Sequence, residues 1–148
     1  MSKLPSNFEQ LDFTVEEEYW NEYELSDGSR VKARVILQTV RRDPNNPSEL
    51  EFRTVPPIFV PYAPVESRGE MNKEPRLEEH ENLPREEVKI IRNDEKWNKY
   101  RVAGMDRIFM LRLTVSTIYR VKNRYTVDGL PFYLFSYTHN VTYDKLKP

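Results

Sequence analysis

The chain has 148 residues, 38% of them hydrophobic and 12% aromatic, which suits one domain, or two very small ones sharing a core, and argues against wholesale disorder. Its 23 basic and 24 acidic residues leave a formal net charge of −1, so no chain-wide pull toward nucleic acid or anionic lipid is expected. With no cysteine, disulfides, thiolate zinc sites and cysteine nucleophiles are excluded, and no apolar run approaches the length of a membrane-spanning helix.

Residues 1–16 read as an N-terminal arm with scattered apolar side chains (Leu4, Phe8, Leu11, Phe13, Val15), either extended or wound into a short helical turn. The arm lacks the apolar stretch of a signal peptide, so a cytoplasmic localisation is expected. A first β repeat is predicted over 17–62. It opens with a strand from Tyr19 to Leu25 and turns at Ser26-Asp27-Gly28-Ser29, where glycine accepts the positive φ of a tight hairpin. The return strand, Arg30 to Arg41, alternates so that Ala33, Val35, Leu37 and Thr39 share a core face. Asp43-Pro44-Asn45-Asn46-Pro47-Ser48 reads as a loop. A strand over Leu50–Val55 comes next, and Pro56-Pro57 breaks it before Ile58-Phe59-Val60 continues to a sheet edge, because proline donates nothing to a ladder.

Residues 63–87 form an acidic, proline-containing connector, with room for a short helix over Arg76–Asn82. The second β repeat, 88–145, starts with a strand over Val88–Arg92 that has no obvious counterpart in the first. Its return strand places Leu111, Leu113, Val115 and Thr117 on the core face. Asp128-Gly129 within Tyr125–Leu130 is the strongest hairpin signal in the chain. The strand after it, Leu130 to Tyr137, is apolar or aromatic on both faces, which suits a central position or contact with another subunit.

Both tryptophans lie in one phrase. Glu17-Glu18-Tyr19-Trp20-Asn21-Glu22-Tyr23-Glu24-Leu25 recurs 77 positions later as Asp94-Glu95-Lys96-Trp97-Asn98-Lys99-Tyr100-Arg101-Val102. A second block recurs at an offset of 78, matching Arg34 with Arg112, Thr39 with Thr117 and Arg42 with Arg120. A looser echo pairs Leu50-Glu51-Phe52 with Leu130-Pro131-Phe132, and Val60-Pro61-Tyr62 with Val141-Thr142-Tyr143. Alternation alone explains apolar matches but not the Trp-Asn-x-Tyr phrase, so an internal duplication is inferred. The fold class expected is all-β or mainly β: an internally duplicated barrel or sandwich in which two related strand-rich halves share one core.

Four candidate sites emerge. Glu22 and Glu24 correspond to Lys99 and Arg101, so halves related by a pseudo-twofold axis would bring opposite charges together, each pair contributing about 0.2–1 kcal/mol. Arg41, Arg42, Tyr119, Arg120, Lys122, Arg124 and Tyr125 interleave cations and rings, as a nucleic-acid surface does; a hairpin end kept soluble by its arginines accounts for the same residues. Tyr133, Phe135, Tyr137 and His139 lie on one side of a strand, an interface or ligand ladder. Glu78-Glu79-His80-Glu81, even with His139, matches no metal-ligand spacing and reads as solvated linker, so no metal site is expected. Asn140-Val141-Thr142 fits a glycosylation acceptor, read here as coincidence without a secretory signal.

No phosphate-cradling loop, nucleophile elbow or metalloprotease motif occurs, so neither a catalytic residue nor a cofactor is expected. The leading expectation is a non-catalytic binding or assembly module whose partner is itself, as a homo-oligomer, or another protein, with no membrane partner. A nucleic-acid-binding β protein stands second. An enzyme or small-molecule binder with a pocket at the seam between repeats stands third.

Overall fold

Strands that alternate apolar and polar residues bury one face and solvate the other, which favours antiparallel sheets over helices. The computed structural model describes residues 8–70 and 83–145, apart from the side chains of Pro47 and Lys145, and is mainly β, with no α-helix among those residues. In chain order the strands are β1 (Glu9–Leu11), β2 (Phe13–Glu17), β3 (Asn21–Leu25), β4 (Arg30–Ala33), β5 (Ile36–Asp43), β6 (Asn46–Val55) and β7 (Ile58–Tyr62). A 3-10 turn (Val65–Ser67) precedes β8 (Arg85–Val88), β9 (Ile90–Asp94), β10 (Asn98–Val102), β11 (Arg107–Tyr125) and β12 (Pro131–Lys145). They form three sheets: β1-β5-β6, β7-β4-β3-β9, and β12-β11-β10-β2 with β8 also on β11. The helix considered over Arg76–Asn82 and the Glu78–Glu81 run lie outside the described residues.

Two segments join the sheets. Glu9–Glu17 is interrupted at Asp12: β1 pairs with β5 nearby in sequence, whereas β2 crosses to β10. Arg85–Asp94 is interrupted at Lys89: β8 pairs with β11, whereas β9 crosses to β3. The segment read as an arm is therefore part of two sheets. The second segment also has a counterpart in register. Leu11 lies opposite Val40 as Val88 lies opposite Ile118, and Glu17 lies opposite Lys99 as Asp94 lies opposite Glu22. Short, charge-rich strands of three to five residues carry too little alternation to reveal this.

The predicted core face holds only part-way along each return strand. The ladders shift register between Leu37 and Thr39 and between Val115 and Thr117, so Gln38 and Ser116 are extra residues. An extra residue moves the rest of its strand to the opposite face. The core row accordingly passes from Ala33, Val35 and Leu37 to Val40, and from Leu111, Leu113 and Val115 to Ile118. Thr39 and Thr117, placed in the core by strict alternation, are only half-buried.

Three further expectations change. Asp43–Ser48 is a tight turn at Pro44-Asn45, because Asp43 accepts a 2.9 Å hydrogen bond from the Asn45 amide and β6 already begins at Asn46. Leu50 lies opposite Arg42 and Tyr133 opposite Arg120, so the ladders equate Leu50 with Tyr133 and Phe52 with Phe135, not with Leu130 and Phe132. Finally, β12 is not central: it ends its sheet, and no strand among the described residues pairs with its outer side.

Candidate functional site

The core between the sheets is apolar except where the two tryptophan phrases meet it. Asn21 and Asn98, at the starts of β3 and β10, are buried to within 2% and 1% exposure, so their amides must find partners. Asn21 Nδ2 donates to the Leu113 carbonyl at 2.6 Å, and Asn21 Oδ1 accepts from the Lys96 amide at 2.9 Å. Asn98 Nδ2 donates to the Val35 carbonyl at 3.0 Å, and Asn98 Oδ1 accepts from the Tyr19 amide at 2.8 Å. Tyr23 donates its hydroxyl to Glu95 at 2.6 Å, and Tyr100 donates to Glu18 at 2.9 Å. Burial first, and then the neighbouring carboxylate, hold both tyrosine hydroxyls well above their ordinary range, so they stay protonated donors.

The guanidinium of Arg34 stacks over Trp20 at 4.8 Å, and that of Arg112 over Trp97 at 4.5 Å. Each phrase thus fastens through its asparagine onto the return strand and the phrase of the other half, and through its tryptophan onto its own return strand. Sequence reasoning treated Asn21 and Asn98 as part of a repeated signature and missed their role. The available signal was an asparagine kept between a tryptophan and a core tyrosine.

Glu22, Glu24, Lys99 and Arg101 do not ion-pair with one another. Glu22 pairs with Lys32 at 3.7 Å and Glu24 with Arg92 at 3.8 Å, while Lys99 pairs with Glu17 at 3.5 Å and Arg101 with Glu16 at 2.8 Å. The charge inversion is met by the strand that crosses over: acidic β2 lies on basic β10, and Arg92 of β9 lies on acidic β3. A groove of about 430 Å³ runs across β7-β4-β3-β9, lined by the charged side chains of Glu22, Glu24, Arg30, Lys32, Arg92 and Asp94 together with Tyr23, Val31 and Pro61.

The basic and aromatic set is spread over several partners. Arg41 pairs with Glu51 and lies over the Phe8 ring, and Arg42 pairs with Glu9 at 2.6 Å. Arg120 sits 3.6 Å from Asp27 and donates to the Ser67 carbonyl at 3.0 Å. Arg85 lies over the Tyr119 ring, the Tyr125 ring packs on Gly69, Lys122 is exposed and Arg124 is half-buried. The carboxylates on Arg41, Arg42 and Arg120 offset much of the charge that a phosphate backbone would meet.

The aromatic row divides along β12. Tyr133 is buried and donates its hydroxyl to Asp27 beside Ser29; burial and that carboxylate raise its pKa strongly. Phe135 packs half-buried on the core, its ring 6.1 Å from Tyr133. Tyr137 and His139 are exposed with their rings 5.7 Å apart, and His139 Nδ1 lies 3.1 Å from Thr54 Oγ1. The same row continues through Val141 and Tyr143, each 49% exposed.

Among the described residues no group of three or more histidine, aspartate or glutamate side chains is placed to hold a metal ion, and no helix is long and apolar enough to cross a membrane. Comparison with known protein families, with curated proteins and with solved structures gives no match.

Proposed function

We propose that this chain is an internally duplicated, non-catalytic binding and assembly module, and that β12 is its interface with a second copy or another protein. The observation that carries the reading is a 15-residue strand at a sheet edge whose far half exposes Tyr137, His139, Val141 and Tyr143. An unpaired edge presents a row of amides and carbonyls to any incoming strand, and natural edges are usually blunted by proline or lysine. β12 has neither between Phe132 and Asp144, whereas β7 carries Pro61 and β6 carries Pro47. Supporting the duplication are the paired contacts of Asn21 with Asn98, Tyr23 with Tyr100 and Arg34 with Arg112, all at the sequence offsets of 77 and 78.

Light scattering after size exclusion tests the assembly. The expected result is a species of at least twice the 17.8 kDa chain mass that shifts to monomer in Val141→Lys, because a lysine on the edge opposes strand addition. A clean monomer at high concentration, together with unchanged behaviour of the variant, would overturn assembly with a second copy.

A further inference from the structure

The two halves differ most on their outer faces, around the stacked tryptophans. In the first half, Trp20 is covered by Phe59, whose ring centroid lies 5.1 Å away edge-on. Arg34 beside it has a carboxylate, Glu18, at 3.6 Å. The neighbouring positions are filled by Ile36 opposite Val55 and by the Pro57 carbonyl, which accepts the Arg34 amide. Beside the ring this face is apolar apart from Lys32, and Arg34 has a counter-ion.

In the second half the residues that face this row from the neighbouring strand are polar. Arg112 lies opposite Asn140, Thr114 opposite Thr138, and Met110 opposite Thr142, so Thr142 stands where Phe59 stands beside Lys32. Thr138, Asn140 and Thr142 are exposed. No carboxylate pairs with Arg112 among the described residues; its Nε, like that of Arg34, is a buried atom without a hydrogen-bond partner, and so, in this half alone, is the neighbouring Thr114 Oγ1. Thr138, Asn140 and Thr142 belong to the same strand as the interface proposed above but point to the opposite face of the sheet from Tyr137 and Val141.

We infer that Arg112, Thr114, Thr138 and Asn140 form a binding site for a tetrahedral oxyanion, a phosphate or sulfate group, on the Trp97 face of β10-β11-β12. Stacking on an aromatic ring fixes the guanidinium plane and leaves its edge free to donate. The fork satisfies two oxygens; two hydroxyls and an amide meet the rest. A planar carboxylate engaged by the fork brings no third oxygen out of the fork's plane to reach the hydroxyls and the amide. A half-buried cation without a counter-ion, beside an unsatisfied hydroxyl, is stabilised by such a group.

The chain's two tryptophans provide an internal control. In a two-dimensional ¹H–¹⁵N spectrum the indole signal of Trp97 is expected to shift and saturate as inorganic phosphate or sulfate is added, while that of Trp20 stays in place. Chloride and acetate at matched ionic strength should do neither. Arg112→Lys should weaken the response about tenfold, the loss of one charge-assisted hydrogen bond, while Arg34→Lys leaves it unchanged. Thr114→Val removes an unsatisfied hydroxyl at nearly constant shape, so it should raise the urea midpoint yet weaken the phosphate response. That pairing keeps the test intact if Arg112→Lys fails to fold. Equal shifts of both indoles, no shift of either, or a chloride response matching phosphate would overturn the assignment.

Discussion

Asn21 and Asn98 explain why a polar residue sits in the middle of an apolar interior. Each closes a donor and an acceptor on the backbone of the other half, and leaving such a buried group unpaired costs about 1–3 kcal/mol. The tyrosines two residues on give the molecule a measurable response to alkali. The hydroxyls of Tyr23, Tyr100 and Tyr133 have folded-state pKa values raised above the unfolded value near 10, by burial and then by Glu95, Glu18 and Asp27. Above that pH the unfolded chain releases these protons and the folded chain keeps them, so their stabilisation is complete below about pH 10 and declines as pH rises. The urea midpoint followed from neutral to alkaline pH should therefore fall, and fall less steeply in Tyr23→Phe/Tyr100→Phe; parallel curves would contradict this. At this scale the sequence offered the recurring phrase, but neither the burial of its tyrosines nor the cross-half partners. Partners such as Glu95 for Tyr23 come from pairing 72 residues apart.

The hairpin joining β11 to β12 shows how turn chemistry sets an element. Thr126 and Leu130 close the turn with a 2.8 Å backbone bond, and Gly129 has φ +78°, which side-chain-bearing residues adopt only with strain. A Cβ there would also stand 2.9 Å from the Gly69 carbonyl oxygen, while at Gly104, with the same φ, nothing lies within 4 Å. Gly129→Ala should thus lower stability by more than Gly104→Ala, with both losses at or above about 1 kcal/mol, in parallel urea titrations. Equal losses would show that the contact with Gly69 relaxes freely. The hairpin was legible from Asp128-Gly129, and so were the proline break after β6 and most strand positions. The bulges at Gln38 and Ser116 were not, since an inserted residue leaves the composition of the strand unchanged and only alters which face it serves. The edge position of β12 was hidden for a related reason: Tyr137, Val141 and Tyr143 look like core residues until the neighbouring strand is found missing.

At the scale of the molecule, the mainly β class was readable from alternation, and the recurrence of tryptophan phrases pointed to contacts that do recur in pairs. What alternation could not reveal is that β2 and β9 each leave the strands nearest in sequence to complete the other half's sheet. Pairings over such separations close large loops before they gain contacts, which slows folding and couples all the strands into one transition. The β12 edge, unpaired among the described residues, and the polar face around Trp97 lie outside that core, so both can change without dismantling it.

The crossing of β2 and β9 turns the connector into a tether. Residues up to Glu70 and residues from Leu83 onward hold each other's strands, as the two chains of a strand-exchanged dimer would, and the covalent link mainly raises the effective concentration of one for the other. A single cut between Glu70 and Leu83 should therefore leave two pieces that travel together through a gel-filtration column and part only in denaturant. Each piece purified alone should lack a dispersed amide spectrum and regain it on mixing. Pieces that separate in plain buffer would show that the exchanged strands contribute less than the tether.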